Sequence, residues 1–172
     1  GATILRGWAM VAESRDDEGI AQIRQGIDVL QFKGAGLRQS YYMSLLIDAY
    51  GLADEADQGL QVVADALDLV EAVGERTWEA ELYRLQGTLL LSQRVGKPSD
   101  AECSFNQAIE LARAQDARSW ELRAAIGLAR LWRDLDKIKE ARDLLAPILG
   151  WFSEGFDTPD LKDAKSLLDE LS

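Results

Sequence analysis

Gly59-Leu60-Gln61-Val62-Val63-Ala64-Asp65-Ala66-Leu67 returns, 42 residues later, as Ala101-Glu102-Cys103-Ser104-Phe105-Asn106-Gln107-Ala108-Ile109. Both stretches place a small residue first and a large apolar one four positions on. A second small residue follows three later, then another apolar one. On a helix these positions share one stripe, so the small residues let a neighbouring backbone come close and the large one fills the space between. The same set extends over the whole chain. Gly19, Gly59, Ala101 and Ala141 are spaced 40, 42 and 40 residues apart. Ile23, Val63, Phe105 and Leu145 keep that register, as do Gly26, Ala66, Ala108 and Ile148, and Ile27, Leu67, Ile109 and Leu149. A second series agrees with it: Arg76-Thr77-Trp78-Glu79 recurs as Arg118-Ser119-Trp120-Glu121, Gly87 maps onto Ala129, and Leu90 onto Trp132. A period near 40 is that of a stacked array, since one helix pair cannot bury its apolar face alone.

The rest of the chain is consistent with helices throughout. Strong helix formers dominate, and period-two alternation of β-branched residues is missing. The spacing predicts helices near 2–14, 16–33, 38–53, 55–73, 77–94, 99–115, 119–135, 137–152 and 159–171. Gly34-Ala35-Gly36, Gly74, Gly96-Lys97-Pro98 and Gly155 read as stops, and Thr77, Ser99, Ser119 and Thr158 as N-caps. Thr158-Pro159-Asp160 is the clearest start, with proline at the first helical position. The expected fold is an all-α, right-handed solenoid of about four helix hairpins over residues 1–36, 37–75, 76–117 and 118–156. A capping helix over 157–172 closes it, its apolar side formed by Leu161, Ala164, Leu167, Leu168 and Leu171. The whole of 1–172 reads as one domain. It opens on Gly1 rather than Met and runs straight into helical sequence, as a piece excised from a longer protein would.

Composition removes much chemistry. Acidic residues number 30 against 19 basic ones, a net charge of −11 that opposes nucleic acid and anionic lipid as partners. There is no histidine, the commonest general base and metal ligand. The single Cys103 rules out an internal disulfide and reads as an inert thiol packed near small core positions. Gly34-Ala35-Gly36 and Gly96-Lys97-Pro98-Ser99 fail the spacing of nucleotide loops. Asp16-Asp17-Glu18 and the pair Asp134 and Asp136 lack calcium-loop spacing and read as solvated acids. No cofactor, metal site or catalytic residue is expected. The five tryptophans read as core, with Trp78 and Trp120 packing between repeats and a full-burial cost of ~3–5 kcal/mol for removing Trp120.

The small–aromatic–small pattern resembles tetratricopeptide repeats. Arg6-Gly7-Trp8-Ala9, Ala49-Tyr50-Gly51, Gly74-Glu75-Arg76-Thr77-Trp78-Glu79-Ala80-Glu81-Leu82-Tyr83-Arg84, Trp120-Glu121-Leu122-Arg123-Ala124-Ala125 and Trp151-Phe152-Ser153-Glu154-Gly155-Phe156-Asp157-Thr158 narrow it. So do Ala108-Ile109-Glu110-Leu111-Ala112 and Leu144-Leu145-Ala146-Pro147. These are similar to the C-terminal helical-repeat region of large bacterial signalling proteins, behind an ATPase module and often a nucleotidyl cyclase or DNA-binding domain. The resemblance implies a cytoplasmic, non-catalytic module that binds a protein or peptide segment, or another domain of its own chain. A small-molecule sensor and an oligomerisation scaffold are the alternatives. It also implies that functional contacts come from the first helix of each pair: Trp8, Tyr41, Ser44, Asp48, Glu81, Arg84, Thr88, Arg123 and Arg130. Arginine's planar fork on that wall suits carboxylates of a ligand; pairing with Glu81, Asp48 and Glu121 is the competing reading.

Overall fold

The computed structural model describes residues 1–32, 38–93, 96–155 and 157–172. Among them run nine α-helices and no strand: α1 (Ala2–Ala12), α2 (Asp16–Phe32), α3 (Gln39–Leu52), α4 (Ala56–Val73), α5 (Glu79–Ser92), α6 (Pro98–Ala114), α7 (Arg118–Asp134), α8 (Ile138–Leu149) and α9 (Pro159–Glu170). The Gly34-Ala35-Gly36 stop lies outside the described residues.

What ends the helices is a recurring turn. Ser14, Asp54, Asp116 and Asp136 all sit in the left-handed region, with φ of 63°, 58°, 52° and 61°. Short polar side chains tolerate that conformation better than most. The residue after each donates its N–H back across the turn: Arg15 to Met10 O, Glu55 to Tyr50 O, Ala117 to Ala112 O and Lys137 to Trp132 O, at 2.8–3.0 Å. These six-to-one bonds satisfy carbonyls a helix end leaves open. Ser14, Asp54 and Asp136 fall on the repeat register, which makes the turn itself part of the repeat. Gly74 ends α4 in the same left-handed region, φ 76°, but with its own N–H donated to Val70 O at 2.8 Å.

The observed helix starts correct three expected caps. α5, α6 and α7 start after Trp78, Lys97 and Ala117 rather than after Thr77, Ser99 and Ser119. Thr158 does precede α9, but its hydroxyl donates to Gly155 O at 2.8 Å instead of capping. α8 stops at Leu149 rather than 152, because Pro147 within its last turn has no N–H to give.

The paired helices then stack in two layers of unequal closeness. α1, α3, α5, α7 and α9 touch one another in succession, whereas α2, α4, α6 and α8 touch only odd-numbered helices among the described residues. A stack tight on one side and splayed on the other curves, so the odd helices form the concave wall. α9 takes the fifth place in that wall, burying Leu161, Ala164 and Leu167 and exposing Lys162, Lys165 and Glu170.

The repeated stripe forms the contact between layers. Ile23, Val63, Phe105 and Leu145 are all buried; the first three are flanked by two small residues of their own helix, whereas Leu145 has Ala141 on one side and Ile148, where a small residue belongs, on the other. Phe105 shows how tight the fit is. A Cβ on Gly87 of α5 would lie 2.8 Å from its Cε1, and one on Gly127 of α7 would lie 2.5 Å from the same atom. Three helices therefore meet at one ring.

Replacing Gly127 with Ala should cost about 1–3 kcal/mol through overpacking, despite alanine's better helix propensity. In a Phe105→Leu background that cost should shrink by at least about 1 kcal/mol, and urea unfolding of the double-mutant cycle measures it. Additive free energies would show that the ring does not set the spacing.

Candidate functional site

The residues expected to face the groove are three rows of the repeat register. Trp8, Asp48, Thr88 and Arg130 form one, Tyr41, Glu81 and Arg123 the second, Ser44 and Arg84 the third. All lie on α1, α3, α5 or α7, the concave layer. Ser44 is buried and donates its hydroxyl to Tyr41 O at 2.7 Å, so it belongs to the helix interior rather than the wall. The others are half-exposed or exposed, except Glu81, whose side chain is only 8% accessible.

Glu81 organises the charges. Arg84, one turn along α5, holds it with two hydrogen bonds, Nε to Oε2 at 2.8 Å and a terminal nitrogen to Oε1 at 2.9 Å. Arg123 of the next repeat reaches the same Oε1 at 3.1 Å and touches Asp160 of α9 at 3.2 Å. Arg130 pairs with Asp163 of α9. Burial works against the charge on Arg84, but Glu81, with Asp48 and Asp160 near by, outweighs it and holds the guanidinium above its ordinary pKa. The three arginines are therefore engaged with carboxylates within and between repeats. Glu121, considered as a partner for them, takes Arg113 and Arg118 instead.

A row of aromatic rings crosses the N-terminal ends of the same helices. Tyr41 and Trp78 lie 4.6 Å apart between centroids, Trp78 and Trp120 5.1 Å, both tilted. The packing between repeats expected of the two tryptophans is present. Both remain half-exposed, however, so removing Trp120 forfeits less than full burial would imply.

Between α3 and α5 the wall opens into a cleft of about 160 Å³. Ile47, Leu85 and Leu89 form its apolar floor, with Asp48, Arg84 and Thr88 at the mouth. Gly51 and Leu52 complete the lining, and of its residues Ile47, Gly51, Leu52, Leu85 and Leu89 were not among the expected ones; the absent side chain of Gly51 was the available signal. Trp8 donates its indole N–H to Asp48 Oδ2 at 2.8 Å at the step before, from α1 to α3.

Elsewhere the chemistry is sparse. Cys103 is exposed on α6 rather than packed, and lines a separate groove with Tyr83. Burial, then the nearby Glu79, pushes the Tyr83 phenol up from its ordinary pKa. Among the described residues no group of three His, Cys, Asp or Glu could hold a metal ion, and no helix is long and apolar enough to cross a membrane.

No family model matches the chain. An uncharacterized protein of Rhizobium meliloti is 28% identical over 129 residues, 74% of this chain but only 12% of that protein. Among solved structures, a kinesin light chain-like protein of Podosopora anserina with nearly identical TPR-like repeats matches with a TM-score of 0.73. It covers 99% of this chain and 83% of its own at 12% identity, and a single-substitution variant of it matches equally at 13%. The chain thus has the fold of a TPR-like solenoid.

Glu81→Gln should destabilise the chain by about 3 kcal/mol in thermal or urea unfolding, because two arginines lose a buried carboxylate. Removing the far more exposed Arg130 should cost under about 1 kcal/mol. Equal losses would mean that the Glu81 cluster is not a buried network.

Proposed function

We propose that this chain is a non-catalytic protein-binding module that takes a peptide segment, or another domain of its own polypeptide, along the concave wall. One observation carries the reading. Aromatic faces, a charged row and an apolar cleft all lie on the same inner layer of helices, the side a curved stack offers to an elongated partner. Tyr41, Trp78 and Trp120 supply flat apolar area at low entropic cost. Trp8, Asp48, Glu81, Arg84, Thr88, Arg123 and Arg130 supply the polar pattern that fixes register. The cleft opens on this wall, with both of its sides from inner helices, which favours a peptide side chain over a small molecule enclosed between layers. The absence of histidine from the sequence supports a non-catalytic role.

The parent we propose is a larger bacterial signalling protein of the ATPase, nucleotidyl cyclase or transcriptional-regulator type, in which this module would regulate the attached machinery from the cytoplasmic side. The small share of the Rhizobium meliloti protein that the chain covers fits a module within a long polypeptide. The net charge of −11 supports a protein partner over nucleic acid or membrane.

A peptide selected from a random display library should shift backbone amide NMR resonances of α1, α3, α5 and α7. Arg130→Glu should weaken it by about tenfold without changing helicity. Shifts confined to α2, α4, α6 and α8, or an affinity indifferent to Arg130, would contradict the reading.

A further inference from the structure

The cleft between α3 and α5 has an internal precedent for what fills it. In the repeat register, position 8 becomes 48, position 11 becomes 51 and position 48 becomes 88. At the α1–α3 step the half-buried Trp8 lies on the inner surface with its indole N–H bonded to Asp48, and the buried Val11 packs against Gly19 of α2. At the α3–α5 step the same two places hold Asp48 and Gly51. An indole and an isopropyl group give way to a carboxylate and a hydrogen, and the cleft of about 160 Å³ stands there. The place of the acceptor Asp48 is taken by Thr88. Its hydroxyl donates to Arg84 O at 3.2 Å, leaving the oxygen's lone pairs free to accept.

Resting on the peptide-binding reading, we infer that this cleft is a subsite for one aromatic side chain of the bound segment, best a tryptophan whose indole N–H meets Thr88 as that of Trp8 meets Asp48. The ring would lie on Ile47, Leu85 and Leu89, and the Arg84 guanidinium at the mouth offers a cation to its face. Charge indicates the neighbour of that aromatic residue. Arg84 and Arg123 share Glu81, Arg123 also meets Asp160, and Asp48 makes no ion pair among the described residues; three carboxylates against two guanidiniums leave the mouth acidic and favour a basic residue beside the ring.

The test uses an acetylated, amidated pentapeptide, Gly-Lys-Trp-Lys-Gly, titrated into the 172-residue chain and followed by amide shifts. Gly51 and Thr88 should move together. Replacing the peptide's tryptophan with alanine should weaken binding by at least about tenfold, and replacing both lysines with glutamate by a similar factor. Gly51→Leu should abolish binding, since a Cβ there meets only Leu89 Cδ2 at 3.4 Å and the longer side chain fills the space. If that variant does not fold, Thr88→Val, on an exposed position, should still weaken binding about fivefold. Undiminished affinity of the Gly51→Leu or Thr88→Val chain, or of the alanine peptide, overturns the subsite. So does binding that shifts the amides of Tyr41 and Trp78 and leaves Gly51 still, though peptide binding on the wall then survives. Failure of library-selected peptides to reach any inner helix removes the broader reading instead.

Discussion

Two helix backbones can lie closer than their side chains normally permit only where a Cβ is missing or small, and the stack is built on that constraint. Its extreme form is at the first hairpin. A Cβ on Gly7 would sit 2.7 Å from Gly19 O, and one on Gly19 would sit 2.6 Å from Gly7 O. Neither backbone oxygen can swing aside as a side chain could. Later hairpins relax the requirement to alanine at Ala101 and Ala141, both fully buried. Each even helix packs between two odd ones, and the odd helices also touch one another in succession, which gives the curved wall its shape. Dispersion between well-fitted surfaces, rather than any single strong bond, holds it there.

The charged groups do a different job. Glu81 is a buried acid that two arginines approach from different repeats, and the second of them also reaches α9. Such a network contributes less to net stability than to registration, because desolvation consumes most of the Coulombic gain. It aligns α5, α7 and α9 along the inner face while keeping their charges on the wall. The exposed pair of Arg130 with Asp163 sits at the far end of the same face, where a partner's carboxylate could compete for the guanidinium. On the proposed reading fold and recognition would draw on the same residues, and the arginines need not be free in the unliganded chain to take part in binding.

Much of this could be read from the residues, for reasons that differ by feature. The hairpin period was visible because the small–large–small stripe is under the strictest steric control. Helix starts were misjudged at Thr77, Ser99 and Ser119 because α5, α6 and α7 begin after Trp78, Lys97 and Ala117 with no side-chain cap bond, so no hydroxyl marks the start. Cys103 lies two positions from both Ala101 and Phe105, about 200° around the helix from each, and its exposure follows from that phase. Glu81 was an expected partner for the arginines and does bind Arg84 and Arg123, but Asp160 and Asp163 could not be foreseen, since they reach Arg123 and Arg130 only once α9 joins the inner layer. The cleft needed both kinds of information: the exchange of Trp8 and Val11 for Asp48 and Gly51 is in the sequence, but only the packed helices show the space it leaves.

A glycine replaced by alanine within a helix ordinarily gains about 0.5–1 kcal/mol. The unfolding free energy of Gly19→Ala tests the steric basis of the stack most directly, because the sign itself is at issue. Backbone pressed against backbone at Gly7 and Gly19 requires a loss of more than about 1 kcal/mol and earlier melting of the first hairpin. A gain in stability would mean that the helices do not depend on that close approach.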